Sequence, residues 1–372
     1  MYFFVDESGH TGTNLFDENQ PILNYGVLSA KTNLDVLAAP KVRAARKKLG
    51  VKRLHANEIG FGGLVQIVDE LAEIQKKYNP TFDLYRVAKP DHAIICFFDQ
   101  VFDQGMNPAV GWIGYWTPMR YVYLGKLAFL FDDDLARRAW EARIQINDAK
   151  AESELKSICG ELLGRVHVLP DERSRQVIGD TLRWAKDHPE KIHYNCKSKK
   201  EVLTITPNII GFQFVMHGIA GRTKNPDHAK RIVVDRQSQF NKAQKALAEF
   251  YDGARDVPWL VGPGLPEMDL SNIPRAPLSF VAGTDSVGLE LVDVYLWLFK
   301  QIMDEKRLPP ELSPIVNPQL RRGITDEISI NALNSKWSKI IQDLPDPTEE
   351  QLAKAKEMTD LDEARRQNAI RK

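Results

Sequence analysis

Cysteine is scarce in this chain of 372 residues: Cys96, Cys159 and Cys196 are the only three, widely spaced and without a CxxC pair. That argues against a disulfide framework and a structural zinc site, and for a reducing compartment. Net charge is also missing, because Lys+Arg and Asp+Glu stand at 50 each. A polyanion would therefore have to meet positive charge gathered locally. Apolar stretches such as 124–131 and 292–299 are too short to span a bilayer. The opening MYFFVDESG lacks the basic start and cleavage site of a signal peptide. A cytoplasmic protein with no membrane partner is expected. Ser8 and Ser286 lie outside any GxSxG elbow, and no GK[ST] follows Gly9 and Gly12, so neither a serine hydrolase nor a phosphate loop is indicated. His188, His193 and Cys196 are loosely spaced like metal ligands but lack a fourth. No internal repeat is visible.

What is present is 43% hydrophobic residues, enough for a sizeable core, in strand and helix patterns that alternate. Residues 2–5 form a continuous apolar run halted by Asp6-Glu7-Ser8-Gly9, which suits a central strand covered on both faces. A second apolar stretch follows at 22–29. A helical pattern starts near Asn33, and another, at 64–78, follows Gly60, Gly62 and Gly63. Residues 82–87 alternate like a strand, and Asp91 would cap a helix running to 102. From 112 to 193 the chain reads as nearly all helix (118–131, 135–146, 152–163, 171–187), with a brief strand signal at 165–169. Helices at 208–221, 241–255 and 286–305 then alternate with strands at 231–235 and 278–281. The fold class is α/β, a mixed sheet flanked by helices with a large helical insertion. Residues 1–110 and 191–308 would form the two parts of the core, 111–190 the insertion, and 309–372 an extension that is partly helical or mobile.

Chemistry concentrates in carboxylates. Asp6 and Asp235 each end an apolar run, and Asp293 sits within a helix that is apolar over much of its surface. Glu290 lies three residues earlier, on the same side. A buried carboxylate is costly unless it is paired or bound to a metal. Spacing alone leaves both readings open. Hard divalent cations such as Mg²⁺ or Mn²⁺ suit a cluster of carboxylate oxygens.

Four motifs, in order, carry a resemblance: YFFVDESGH at the start, HANE at 55–58, VVDRQSQ at 233–239 and GTDSVGLELVD at 283–293. Together they resemble the domain-of-unknown-function family 3800. That family opens with an Asp-Glu-Ser-Gly strand end, carries a His-x-x-Glu element and a later strand-end Asp, and closes with a Leu-Gln-Leu-Ala-Asp helix. The resemblance spans the core to about residue 305 and leaves out the middle helices and the tail. It departs where Glu290 replaces Gln and Val292 replaces Ala.

The resemblance implies a ribonuclease-H-like fold and a nuclease of the kind linked to mobile elements or phage defence. It implies Asp6 as the central metal ligand, completed by Glu58, Asp235 and Asp293, with Glu7 and Asp285 as secondary candidates. Two divalent ions about 4 Å apart would activate water and hold the leaving oxygen of a phosphodiester, and His10 or His55 would shuttle a proton. RNA or DNA would be met by basic residues of the 41–53 stretch (Arg43, Arg46, Lys47) and by Lys197, Lys199 and Lys200. Arg222, Lys224, Lys230 and Arg231 precede the Asp235 strand, and Trp112, Tyr115 and Trp116 offer stacking surfaces or packing. The alternatives are a small-nucleotide phosphoesterase and a non-catalytic module that binds nucleic acid or another partner.

Overall fold

A computed structural model describes residues 1–9, 12–236, 240–255 and 270–371. The chain divides into two units. The first comprises Met1–Gly12, Ile22–Val87 and Thr206–Glu327, and the second Thr13–Pro21, Ala88–Ile205 and Ile328–Lys372. The continuous helical stretch of the second unit thus runs from Ala88 rather than from 111, because the helix Lys89–Val101 packs on the helix Asp133–Arg143.

The first unit is built on a mixed sheet of six strands: β1 (Tyr2–Ser8), β2 (Ile22–Ala30), β3 (Thr81–Ala88), β4 (Arg231–Asp235), β5 (Leu278–Val281) and β6 (Thr325–Ile328). Their order is β5-β4-β1-β2-β3-β6. β1 and β2 pair antiparallel from Tyr2↔Ala30 to Ser8↔Asn24, whereas β1 with β4 and β4 with β5 run parallel. Asp6 therefore does not end its strand, as the sequence suggested. Pairing with β2 carries β1 two residues further, past the acids.

Helices cover both faces of the sheet. On one lies the closing helix, Val287–Met303, whose Leu289, Val292 and Leu296 join Phe4, Leu28 and Phe82 in the core. Ser286 caps it by accepting from the Leu289 N–H at 3.2 Å. Gly288 permits its approach, since a Cβ there would collide with the Phe4 ring. On the other face the helix Pro207–Thr223 packs on β2, with Phe212 against Tyr25.

The second unit is helical. Asp132, Asn147 and Asp171 accept from the backbone N–H three residues on, which fixes where the helices Asp133–Arg143, Asp148–Arg165 and Glu172–Asp187 begin. Their apolar stripes meet around Phe97, Leu127, Leu155, Ile158 and Leu182. The strand signal at 165–169 is a 3₁₀ turn, Val166–Val168. A run this short continues the end of the preceding helix rather than starting a sheet. Asp91 lies inside the first turn of its helix, whose N-cap residue is Ala88, and accepts from the Ile330 N–H at 2.7 Å. Tyr115 is buried, the packing outcome for that aromatic. The charged tail forms the helix Glu349–Ile370, held by the buried Arg366 on Asp180 and Glu363. Among the described residues no helix is long and apolar enough to cross a membrane.

Candidate functional site

Successive residues of a strand face opposite sides of its sheet. Phe4 points into the core beneath the closing helix, so Asp6, two residues on, lies on the same face. Phe4 pairs with Val233 and Val5 with Val234 across the parallel β1–β4 ladder. Asp235 therefore lies beside Asp6 on that face, and the closing helix delivers Asp293 over it. Asp6 is only 6% exposed.

Asp293 is engaged. Its Oδ1 lies 3.0 Å from His55 Nδ1, and its Oδ2 accepts from the Ala56 N–H at 2.7 Å. It thereby caps the helix Ala56–Gln66, whose own N-cap residue, His55, supplies no side-chain cap. This explains why a helix starts at the HANE motif, ahead of the glycines, and runs through a kink at Gly60 (φ 64°) rather than starting at 64. Asp293→Ala is expected to lower stability by about 1–2 kcal/mol by removing this cap, and Asp293→Asn by less, because its amide oxygen still accepts from Ala56. Urea unfolding of the two variants checks the order, and equal losses would refute the cap.

Glu290, one turn earlier, is wholly buried. Arg46 binds it through both Nη2 and Nε, the latter at 2.9 Å, and the Leu54 N–H donates to it at 2.7 Å. It neither faces solvent nor joins the other acids as a free ligand. Burial raises its pKa while Arg46 and Leu54 oppose the rise. Glu290 and Asp293 thus grip residues 54–56 from one helix face.

Asp6 and Asp235 carry the electrostatic load. Burial pushes the Asp6 carboxyl well above its usual range, and the negative charges of Asp293 and Asp235 push it further, against the Glu7 N–H and Arg53. Burial also raises Asp235, while the Arg236 N–H, Arg53 and the Gly283 backbone pull it down. Among the described residues no cation lies within ion-pair distance of either carboxylate. Glu7 faces the other side of the sheet, across from Tyr25 in the β1–β2 register. Its Oε2 is buried without a hydrogen-bond partner, and burial, then Asp6, raise its pKa strongly.

The other predicted residues are dispersed. Glu58 is exposed in the first turn of the helix Ala56–Gln66; its N–H donates to the His55 carbonyl at 3.0 Å, and among the described residues its carboxylate makes no hydrogen bond or ion pair. Asp285 is exposed in the 3₁₀ turn Gly283–Asp285 and accepts from Thr284 Oγ1 at 3.2 Å. His10, with residues 237–239 of the third motif, lies outside the described residues. Arg46 is corrected from the phosphate-binding set, since its guanidinium holds Glu290. Arg222, likewise, is bound to the buried Asp83. Lys197 pairs with Asp148 at 2.7 Å, while Arg43, Lys47, Lys199 and Lys200 are exposed. Arg43 and Lys47 belong to the first unit and Lys197, Lys199 and Lys200 to the second.

Sequence reasoning missed Arg53 as a site residue. It was one more basic residue in the 41–53 stretch, yet its charge acts on Asp6, Asp235 and Glu290 alike. Its position two residues before His55 was the available signal.

Among the described residues no group of three or more His, Cys, Asp or Glu is placed to hold a metal ion. A cavity of about 710 Å³ in the first unit, lined by Gln75, Lys76, Asn79, Arg321 and Arg322 among others, contains none of the clustered acids. No protein-family model, curated protein or solved structure matches the chain.

Proposed function

We propose that this chain is a metal-dependent phosphodiesterase acting on RNA or DNA, with Asp6, Asp235 and Asp293 as its cation-holding acids. The observation that carries this reading is the gathering of three acids from β1, β4 and the closing helix on one sheet face, with Asp6 and Asp235 unpaired there. Asp6 is buried and Asp235 half-buried. Acids brought together without an ion pair are destabilising, and a divalent ion supplies the partner that the more distant Arg53 does not. The donors' chemistry fits Mg²⁺ or Mn²⁺, although their present spacing makes no ready cage. The topology supports a ribonuclease-H-like reading: β2 is antiparallel to a central β1, β4 and β5 are parallel beyond it, and an acid sits on β1 itself.

A bound divalent ion would supply an activated water and relieve charge on the phosphorane-like transition state. The chain's own groups hold and orient. Asp293 fixes the His55 ring through Nδ1, leaving Nε2 as the atom at which a proton is held or passed to a leaving oxygen.

The test is cleavage of labelled single- and double-stranded RNA and DNA in Mg²⁺, Mn²⁺ or EDTA, beside Asp235→Asn. The expected result is metal-dependent cleavage that falls at least about a hundredfold in the variant. Folded protein that binds Mn²⁺ but cuts no polymer would redirect the reading to small phosphoesters. No Mn²⁺ binding would leave the acids as structure.

A further inference from the structure

Arg53 lies among carboxylates and pairs with none of them. Its Nε is buried and has no hydrogen-bond partner, and among the described residues no ion pair within 4 Å involves it. Arg46, seven residues earlier, shows the ordinary alternative: its guanidinium forks onto Glu290. A buried N–H without an acceptor is destabilising, and an arginine near three acids would normally settle on one. Its position is held by shape. The guanidinium packs against Gly283, where a Cβ would lie 2.6 Å from Cζ. Gly283 opens the turn that leads through Ser286 into the closing helix. The turn that starts the Asp293 helix therefore also places the Arg53 head.

We infer that Arg53 is the receptor for a phosphate of the nucleic-acid substrate, an inference that rests on the reading of this site given above. A guanidinium presents a planar fork of donors that matches phosphate oxygens. The acids repel a phosphate unless cations offset them, and Arg53 is a cation here that no acid has claimed. Its Nε–H is a donor left unspent inside the fold, and Gly283 supplies the room for the head.

The experiment measures binding of a short fluorescein-labelled single-stranded DNA, and of the same sequence as RNA, to the full chain across a salt series. Ca²⁺ is present in one arm and EDTA in the other. Wild type is compared with Arg53→Gln, Arg53→Lys and Gly283→Ala, and each is titrated with Mn²⁺ alone by calorimetry. Arg53→Gln is expected to weaken oligonucleotide binding about tenfold and to lower the salt slope by about one, with Mn²⁺ binding retained. Arg53→Lys should keep the slope but recover only part of the affinity, because an ammonium lacks the fork. Gly283→Ala should weaken binding without removing a charge, by displacing the guanidinium. Its circular dichroism should match wild type, since the displaced group is the end of a flexible side chain.

Unchanged affinity and slope in Arg53→Gln would overturn the inference. So would tighter Mn²⁺ binding with unchanged oligonucleotide binding, which would make Arg53 a counter-ion of the acids. If wild type binds no Mn²⁺ yet loses oligonucleotide affinity in Arg53→Gln, the metal reading fails and the phosphate receptor stands.

Discussion

Glu290→Ala is expected to destabilise the sheet-bearing unit by about 3–5 kcal/mol, the usual result of removing one partner of a buried ion pair. Glu290 is wholly buried and receives three donors: two from Arg46 and the Leu54 N–H. Alanine leaves the guanidinium and the amide without an acceptor, in a core of Leu54, Val42 and Leu289. It also frees one side of the grip on residues 54–56, so Arg53 and His55 should lose their fixed positions. Urea unfolding followed by fluorescence measures the loss. Glu290→Gln should lose less, since its oxygen can still accept from Leu54. A paired replacement, Arg46→Met with Glu290→Met, should recover most of the loss, because neither charge is then stranded. A Glu290→Ala variant within about 1 kcal/mol of wild type would show that the pair has no structural role.

Much of the architecture was legible because burial writes itself into apolar runs. The runs at 2–5 and 22–29 became β1 and β2, and the prediction for 278–281 matches β5 residue for residue. The helix read at 171–187 starts at its cap residue Asp171, whereas those read from 135 and 152 start earlier, behind the caps Asp132 and Asn147. Where the reading failed, the cause was tertiary. The helix Ala56–Gln66 carries Gly60, Gly62 and Gly63, a poor helical sequence, and its cap comes from Asp293, distant in the chain. β6 is short and half-exposed, with no apolar run to reveal it, and exists because it joins the sheet beside β3.

The site divides along the same line. Asp6, Asp235 and Asp293 could be singled out because each is a carboxylate set within an apolar run. Their mutual approach could not be read, since it depends on the β1–β4 register and the seating of the closing helix. Arg46 and Arg53 look equivalent in sequence, two arginines in one basic stretch, yet one is bound to Glu290 and the other is unpaired. Glu7 read as part of a turn. The continuation of β1 to Ser8 places it on the opposite face, half-buried across from Tyr25 with its Oε2 buried.

Asp6→Asn is expected to act with opposite signs on activity and on stability. The Asp6 carboxyl is raised by burial first, then by Asp293 and Asp235, with Arg53 and the Glu7 N–H opposing. Glu7 is raised as well, and Asp293 is engaged by His55. A carboxyl whose folded pKa exceeds its unfolded value contributes nothing unfavourable below the ordinary carboxylate range, where both states are protonated. As pH rises from there, the unfolded chain releases its proton first, and stability falls until the folded pKa is passed. In EDTA the wild-type midpoint should therefore decline from the ordinary carboxylate range towards neutrality. Asparagine keeps the oxygen that accepts from the Glu7 N–H at 2.9 Å and removes the charge. The variant should gain about 1 kcal/mol or more at neutral pH, a few degrees in midpoint, and its decline with pH should be shallower, with Glu7 and Asp235 retaining their share. Saturating Mn²⁺ should raise the wild-type midpoint and leave the variant's nearly unchanged, and phosphodiester cleavage should fall at least about a hundredfold. A variant less stable than wild type in EDTA would mean that Asp6 is already satisfied within the fold, and the case for a cation site on this face would fail with it.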